Sequence, residues 1–250
     1  FDGCIGGWDI DGEPYTTEEG TDFSWFRARM LGGRTHHWGR ISLRFGPDDF
    51  RRYSLDGKGD DDWPITYDEI KPYYDRLDRL VGIFGSREGM RNEPDGVFMP
   101  APRPRCYESM VVDAGRKIGL PVIPNRLSIL TQPLNGRAAC HYCGQCGRGC
   151  ATRSNFSSQG VLIPPALETG RLTVKTGAMV HQVLTDEEGR ATGVSYVDTA
   201  TGQVEVVRAR VVVLAASACE SARIMLNSTS SVHENGLSNS SDVLGRYLMD

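Results

Sequence analysis

Three stretches of this 250-residue sequence combine residue types that can do chemistry. The first is LGGRTHHWGR, residues 31–40. Gly32 and Gly33 let a backbone turn tightly and approach a ligand closely. Thr35, His36, His37 and Trp38 then set a hydroxyl, two imidazoles and an indole on that turn, followed by Gly39. Such a loop could lie along a flat aromatic cofactor and hydrogen-bond its edge. The plainer reading is a Gly-Gly turn carrying surface histidines.

The second stretch is CHYCGQCGRGC, with Cys140, Cys143, Cys146 and Cys150. Its C-x2-C-x2-C-x3-C spacing is that of thiolates wrapping an iron–sulfur cluster. Ala151 stands where a Pro usually follows, and no second such run exists. The same thiols could hold zinc, pair as two disulfides, or stay free in a Gly-rich loop.

The third is ARVVVLAASACESARIMLNS, residues 209–228. A continuous apolar, β-branched run predicts a strand buried on both faces of a parallel sheet. It leads into a helix whose N-terminal N–H groups suit an anion, at the carboxyl end of a strand where α/β sheets bind ligands. The plainer reading is a βα unit without a ligand. No G-x-G-x-x-G occurs anywhere. His181 in an alternating strand, His233 in a polar loop and the acidic turn DGKGDDD read as packing or solvated residues, the last lacking the spacing of a calcium loop.

The elements that must position these residues change character along the chain. Residues 1–62 read as loop with short strands. In WPITYDEIKPYYDRLDRLVG, Thr66 and Glu69 form a capping box. Ile70, Tyr73, Leu77, Leu80 and Val81 follow at helical spacing, Pro72 is expected to kink or restart the helix, and Gly82 to stop it. Residues 83–105 read as loop. Residues 107–118 read as a helix with Met110, Val111, Ala114 and Ile118 on one face, ended by Gly119. RLTVKT, AMVHQVLT, TGVSYVD and QVEVVRA read as strands between turn sequences.

Composition narrows the function classes. Acids and bases are interspersed and the net charge is −4, which argues against a dedicated nucleic-acid or anionic-membrane surface. No apolar run approaches the roughly 18 residues of a membrane helix. Seven cysteines, four of them clustered, do not make a disulfide scaffold at this chain length. The chain starts at Phe1 and stops at RYLMD, so both ends read as truncated.

Taken in order, these pieces resemble the glucose-methanol-choline (GMC) oxidoreductases over nearly the whole chain. GGRTHHWG resembles the family's flavin-contacting loop, in the style of pyranose-oxidase-like and bacterial sugar dehydrogenase branches. DWPITYDEIKPYYDRLDRLVGIFG resembles its Trp-Pro…Pro-Tyr-Tyr segment. LTVKTGAMVHQVLTDEEGRATGVSYVD resembles the strand pair whose Val backbone, here Val180, contacts the adenine. ARVVVLAASACESARIMLNS resembles the returning strand of the FAD domain, with Ala215, Ala216 and Ser217 near the cofactor. NSSDVLGRYLMD resembles the segment that runs on into a His.

The resemblance implies an α/β fold: a partial Rossmann-like FAD-binding domain with a β-meander and an inserted substrate-domain segment. The implied division is 1–62 as FAD-contacting loop region, 63–160 as helical and Cys-rich insert, and 161–250 as meander and returning strand. The implied activity is FAD-dependent oxidation of a C–OH group of a sugar, glycoside or polyol by hydride transfer, with electrons leaving to an acceptor other than NAD. The family's dinucleotide fingerprint and catalytic His are absent, so the chain itself is expected to be inactive and its full-length parent active. In some relatives FAD is attached covalently at the position of His37, and in others a His stands there without the bond. An iron–sulfur cluster that passes electrons to a cytochrome subunit occurs in some bacterial sugar dehydrogenases of the family. The competing readings are an electron-transfer or metal-binding module on the four cysteines, and a zinc- or disulfide-stapled domain. The compartment is left open.

Overall fold

The computed structural model describes residues 6–7, 9–59 and 61–247. Helices alternate with small sheets, an α/β composition. Contacts divide the chain into two compact units, 1–172 and 173–250. Cys4, Asp60 and the last three residues of RYLMD lie outside the described residues.

The first unit carries little regular structure. Two-residue strands β1 (Gly6–Gly7) and β2 (Arg27–Ala28) pair antiparallel, and β3 (Phe84–Gly85) and β4 (Met99–Pro100) pair parallel. What organises it is a backbone ladder of three extended segments. Ser128 N–H donates to Arg40 O at 2.9 Å, and Phe156 N–H donates to Ser128 O at 2.9 Å. Segment 126–130 thus lies between 40–42 and 154–156, and Cys140 N–H hooks onto Leu130 O at 2.8 Å. This ladder ties the Gly-Gly loop, the cysteine run and the chain after it to one frame.

Helix α1 (Arg52–Asp56) is short, and α2 (Tyr67–Leu77) carries the expected capping box. Thr66 N–H donates to Glu69 at 2.7 Å and Glu69 N–H to the Thr66 hydroxyl at 3.4 Å. Pro72 does not restart α2, which runs through it as one helix. The ring removes only the bond to the Asp68 carbonyl, and both residues face solvent, where water satisfies that group.

The buried stripe of α2 also differs from the apolar spacing. Of the apolar series Val81 is buried as expected but Tyr73, Leu77 and Leu80 are exposed, while Tyr67 and Asp78, outside the series, are buried. Arg44 decides this. Its guanidinium reaches Asp75 at 2.7 Å, Asp78 at 2.5 Å and the Tyr67 hydroxyl at 3.3 Å. A π-turn, Asp78–Gly82, follows, and Gly82 ends it as expected. At φ +82° a Cβ there would stand 2.2 Å from Leu130 Cδ2, so the glycine lets the turn close on the core.

Helix α3 (Cys106–Lys117) forms and ends before Gly119, but its apolar face is not a core face. Met110, Val111 and Ile118 are exposed, and only Gly115 is buried, against the chain reversal at Leu120. Helices α4 (Ser158–Val161) and α5 (Ile163–Glu168) close the unit.

The second unit is a β-meander with one helix. Strands β5 (Ala178–Thr185), β6 (Ala191–Asp198) and β7 (Val204–Arg208) pair antiparallel in that order. Helix α6 (Ala218–Asn227) packs on β5. Val183, Tyr196 and Ile224 form the core. Ser228 Oγ accepts Val183 N–H at 2.8 Å, and Arg223 donates to Val180 O at 3.1 Å.

Two expected strands are absent. RLTVKT (171–176) is irregular, and so is RVVVLAA (210–216). Val211 and Val213 are 75% and 80% exposed rather than buried on both faces. A strand needs ladder partners, and no described segment pairs with either stretch. No helix among the described residues is long and apolar enough to cross a membrane.

Candidate functional site

Gly33–His36 forms one 3-10 turn entered through Gly32 in the left-handed conformation, φ +90°. Thr35 holds this turn from both sides: its hydroxyl donates to Gly32 O and accepts the N–H of Ser158 at 3.0 Å. His36 Nε2 meets Leu31 O at 3.0 Å. The polar atoms of Thr35 and His36 therefore shape the loop. His37 is half-buried, edge-on to Phe26. Burial, with repulsion from His36, Arg40 and Arg34, holds its pKa below the ordinary value, so the imidazole is largely neutral near pH 7. The Trp38 ring packs edge-on to Phe156 with much of its surface open, and its N–H points at Phe156 O at 3.5 Å. Beside Gly33 and Gly39 no heavy atom lies within 4 Å of where a Cβ would stand, so that face of the loop is clear.

The cysteine run lies on the same frame. Cys140, Cys143, Cys146 and Cys150 line one cavity of about 20 Å³ with Ile129, Asn155 and neighbours. Asn155 Nδ2 donates to Cys146 O at 3.3 Å, fixing the loop to the third ladder segment. Burial pushes the Cys150 thiol up. Bonds from the Thr152 hydroxyl and from the N–H groups of Asn155, Ser154 and Thr152 outweigh burial and hold it below its ordinary value. All six described cysteines are free, so the two-disulfide pairing does not form here. Among the described residues no three His, Cys, Asp or Glu side chains converge in a metal-holding arrangement.

Arg40, the last residue of the Gly-Gly motif, was not singled out by sequence reasoning. It is 3% exposed, and burial holds its pKa below the ordinary value, with Cys146 and Cys150 acting in the opposite sense. Its backbone is left-handed at φ +66°, uncommon for a residue with a side chain. Nothing in the sequence marks it as buried.

Val180, Ala215, Ala216 and Ser217 lie in the second unit. Val180 sits at a β-bulge, its carbonyl bound by Arg223. Ser217, at φ +79°, is the N-cap residue of α6, and its side chain makes no capping bond. Ala215, Ala216 and Ser217 are exposed. His181 meets Ser195 Oγ across two strands at 3.1 Å, and His233 meets Gly189 O at 3.1 Å, which are packing roles. In the acidic turn, Asp62 accepts the Ser54 N–H at 2.9 Å.

Comparisons with known proteins give the same frame a family. Residues 10–250 match the family model described as GMC oxidoreductase. The chain is 35% identical to a 2-methyl-1,2-propanediol dehydrogenase of Mycolicibacterium austroafricanum, over 88% of this chain and 40% of that protein. It is 32% identical to a 6'''-hydroxyparomomycin C oxidase of Streptomyces lividus, over 95% of this chain and 44% of that one. It is 28% identical to the fructose dehydrogenase large subunit of Gluconobacter japonicus, over 94% and 44%. The chain thus spans less than half the length of these curated relatives. With the match covering nearly every residue, this chain belongs to the GMC oxidoreductase family.

Proposed function

We propose that the chain is the partial Rossmann-like, FAD-contacting portion of an enzyme that oxidises a C–OH group of a sugar, glycoside or polyol. The observation that carries this is the family match over residues 10–250, joined to relatives named for a diol, an aminoglycoside and fructose. FAD, when bound, would supply a hydride acceptor and pass electrons on to a second acceptor.

The residues present fit that cofactor. The open face beside Gly33 and Gly39, next to the exposed Trp38 ring, admits a flat ring system. Arg34, exposed on the loop, favours an anionic partner. Val180, Ala215, Ala216 and Ser217 are assigned to the same cofactor on the family resemblance. Covalent attachment at His37 is tested by mass spectrometry of the tryptic peptide bearing it, where an unmodified peptide overturns it.

A second reading attaches to Cys140, Cys143, Cys146 and Cys150: a thiolate-bound metal, either an iron–sulfur cluster or zinc, next to the flavin loop. Its support is the C-x2-C-x2-C-x3-C spacing, with all four cysteines among the residues lining one cavity, although no three metal-ligating side chains among the described residues converge there. With it goes an electron-acceptor subunit such as a cytochrome, in line with a relative named as a large subunit. An absorbance spectrum of the parent enzyme, with iron and zinc analysis on the same sample, tests both readings. Flavin bands without metal support the first alone. Iron or zinc in stoichiometric amount supports the second, and a folded, colourless, metal-free protein overturns both.

A further inference from the structure

Trp38 stands at the end of the Gly-Gly loop with its backbone fixed and its ring open. The turn Gly33–His36 precedes it, and Gly39 and Arg40 follow in the left-handed conformation, at φ +70° and +66°. Arg40 O is held by the Ser128 N–H at 2.9 Å. The indole, 39% exposed, is held by one residue. Among the described residues Phe156 is its only aromatic neighbour, edge-on with ring centroids 5.9 Å apart and planes at 82°. Phe156 O is also the only acceptor its N–H meets there, at 3.5 Å. A bond of that length is weak, so the edge-on contact decides where the indole lies.

Phe156 is built to be that anchor, although 118 residues separate it from Trp38. Ser154, Asn155 and Ser157 beside it are buried. Leu130 N–H donates to Ser154 O at 3.0 Å, Phe156 N–H donates to Ser128 O at 2.9 Å, and Ser157 Oγ accepts Gly160 N–H at 3.1 Å to start α4. Ser158 N–H then returns to the Thr35 hydroxyl at 3.0 Å. Segment 154–158 therefore grips the Gly-Gly loop twice, at Thr35 through a backbone N–H and at Trp38 through one ring.

We propose that Phe156 is a positioning residue for the flavin: its ring sets the lie of the Trp38 indole, and through it the face that the Gly-Gly loop presents to the flat ring of FAD. Phe156 acts through Trp38 and makes no bond to the cofactor. The inference rests on the reading of this loop as flavin-contacting, and the experiment separates the two.

The parent enzyme is prepared flavin-free, and FAD is titrated into wild type, Phe156→Tyr, Phe156→Leu, Trp38→Leu and the double variant Trp38→Leu/Phe156→Leu. Thermal melts of the flavin-free proteins accompany each titration. Phe156→Leu keeps the backbone carbonyl and most of the apolar bulk but loses the ring edge. It should bind FAD about two- to tenfold more weakly, the range an edge-on aromatic contact is worth. Phe156→Tyr keeps the ring and should bind as wild type does. Trp38→Leu should lose at least as much affinity as Phe156→Leu. In the Trp38→Leu background Phe156→Leu should cost nothing further, because the ring it positions is gone. Phe156→Ile, β-branched and suited to the extended ladder, takes the place of Phe156→Leu with the same expectations if that chain does not fold. FAD affinity unchanged in Phe156→Leu overturns the role of Phe156 and leaves the loop reading standing. An equal loss in both backgrounds does the same, since Phe156 would then act on the fold at large. FAD affinity unchanged in folded Trp38→Leu overturns the loop reading, and the proposal with it.

Discussion

Replacing Gly32 by Ala tests whether the Gly-Gly loop is a built frame or a permissive turn. Gly32 holds φ +90°, and a Cβ there would stand 2.9 Å from His36 Nε2, 3.1 Å from Gln159 N and 3.2 Å from Gln159 Cβ. Neither neighbour can retreat freely. His36 is held to Leu31 O, and Gln159 follows Ser158, whose N–H is bound to Thr35. The left-handed backbone costs an L-residue about 1–2 kcal/mol, and the overpacking about 1–3 kcal/mol more. Gly33 is the matched control: it is also left-handed, at φ +50°, but a Cβ there would meet nothing within 4 Å. Gly33→Ala should therefore carry the backbone cost alone. In thermal melts Gly32→Ala should fall below Gly33→Ala by about 2–12 °C, at about 2–4 °C per kcal/mol for a chain of this size. Equal melting of the two variants would refute the packing argument. In the parent enzyme, Gly32→Ala should also retain FAD at least about tenfold more weakly, since 1.4 kcal/mol of lost binding is tenfold. A destabilised variant with wild-type flavin affinity would refute placing this loop at the cofactor.

Two predictions concern the Arg44 cluster. Asp78→Ala leaves Arg44 buried with Asp75 as its remaining carboxylate and frees the Val97 N–H bound at 2.9 Å. It should cost about 3–5 kcal/mol, a fall of about 6–20 °C in Tm, and a loss under about 1 kcal/mol would contradict the buried pairing. Burial opposes ionisation of Asp75, but hydrogen bonds from Arg44 and Lys71 prevail and hold its carboxyl below the ordinary value. A lowered folded-state pKa gives stability that is full above about pH 3.9 and lost as pH falls through the folded value. The Tm gap between wild type and Asp75→Asn should accordingly be widest near neutrality and close in acid. A gap that widens in acid would reverse the sign.

Features that depend on neighbours in sequence were legible, and those that depend on distant partners were not. The Thr66–Glu69 box closes within one turn, and the meander of β5–β7 follows from short strand-like runs separated by the turn sequences DEEGR and TATG. The face of α2 was misread because Arg44, some thirty residues away, buries Asp78 in preference to Leu77. The valines of 210–216 read as a buried strand because apolar β-branched runs prefer that state, yet a strand exists only with ladder partners. The Gly-Gly loop and the cysteine run were both visible as motifs. That they share one frame was not, because the ladder joins Arg40, Ser128 and Phe156 across the sequence. The burial of Arg40 has no sequence signature, since arginine is mostly a surface residue.

The central claim, that this chain serves the FAD-dependent oxidation of a C–OH group, is tested most directly by anaerobic mixing of the parent enzyme with a panel of sugars and polyols, followed at the flavin's visible absorbance. At least one compound should bleach the flavin band and be recovered as the corresponding carbonyl, without any need for NAD. A protein that carries no flavin when folded, or whose flavin no C–OH compound reduces, would contradict the account.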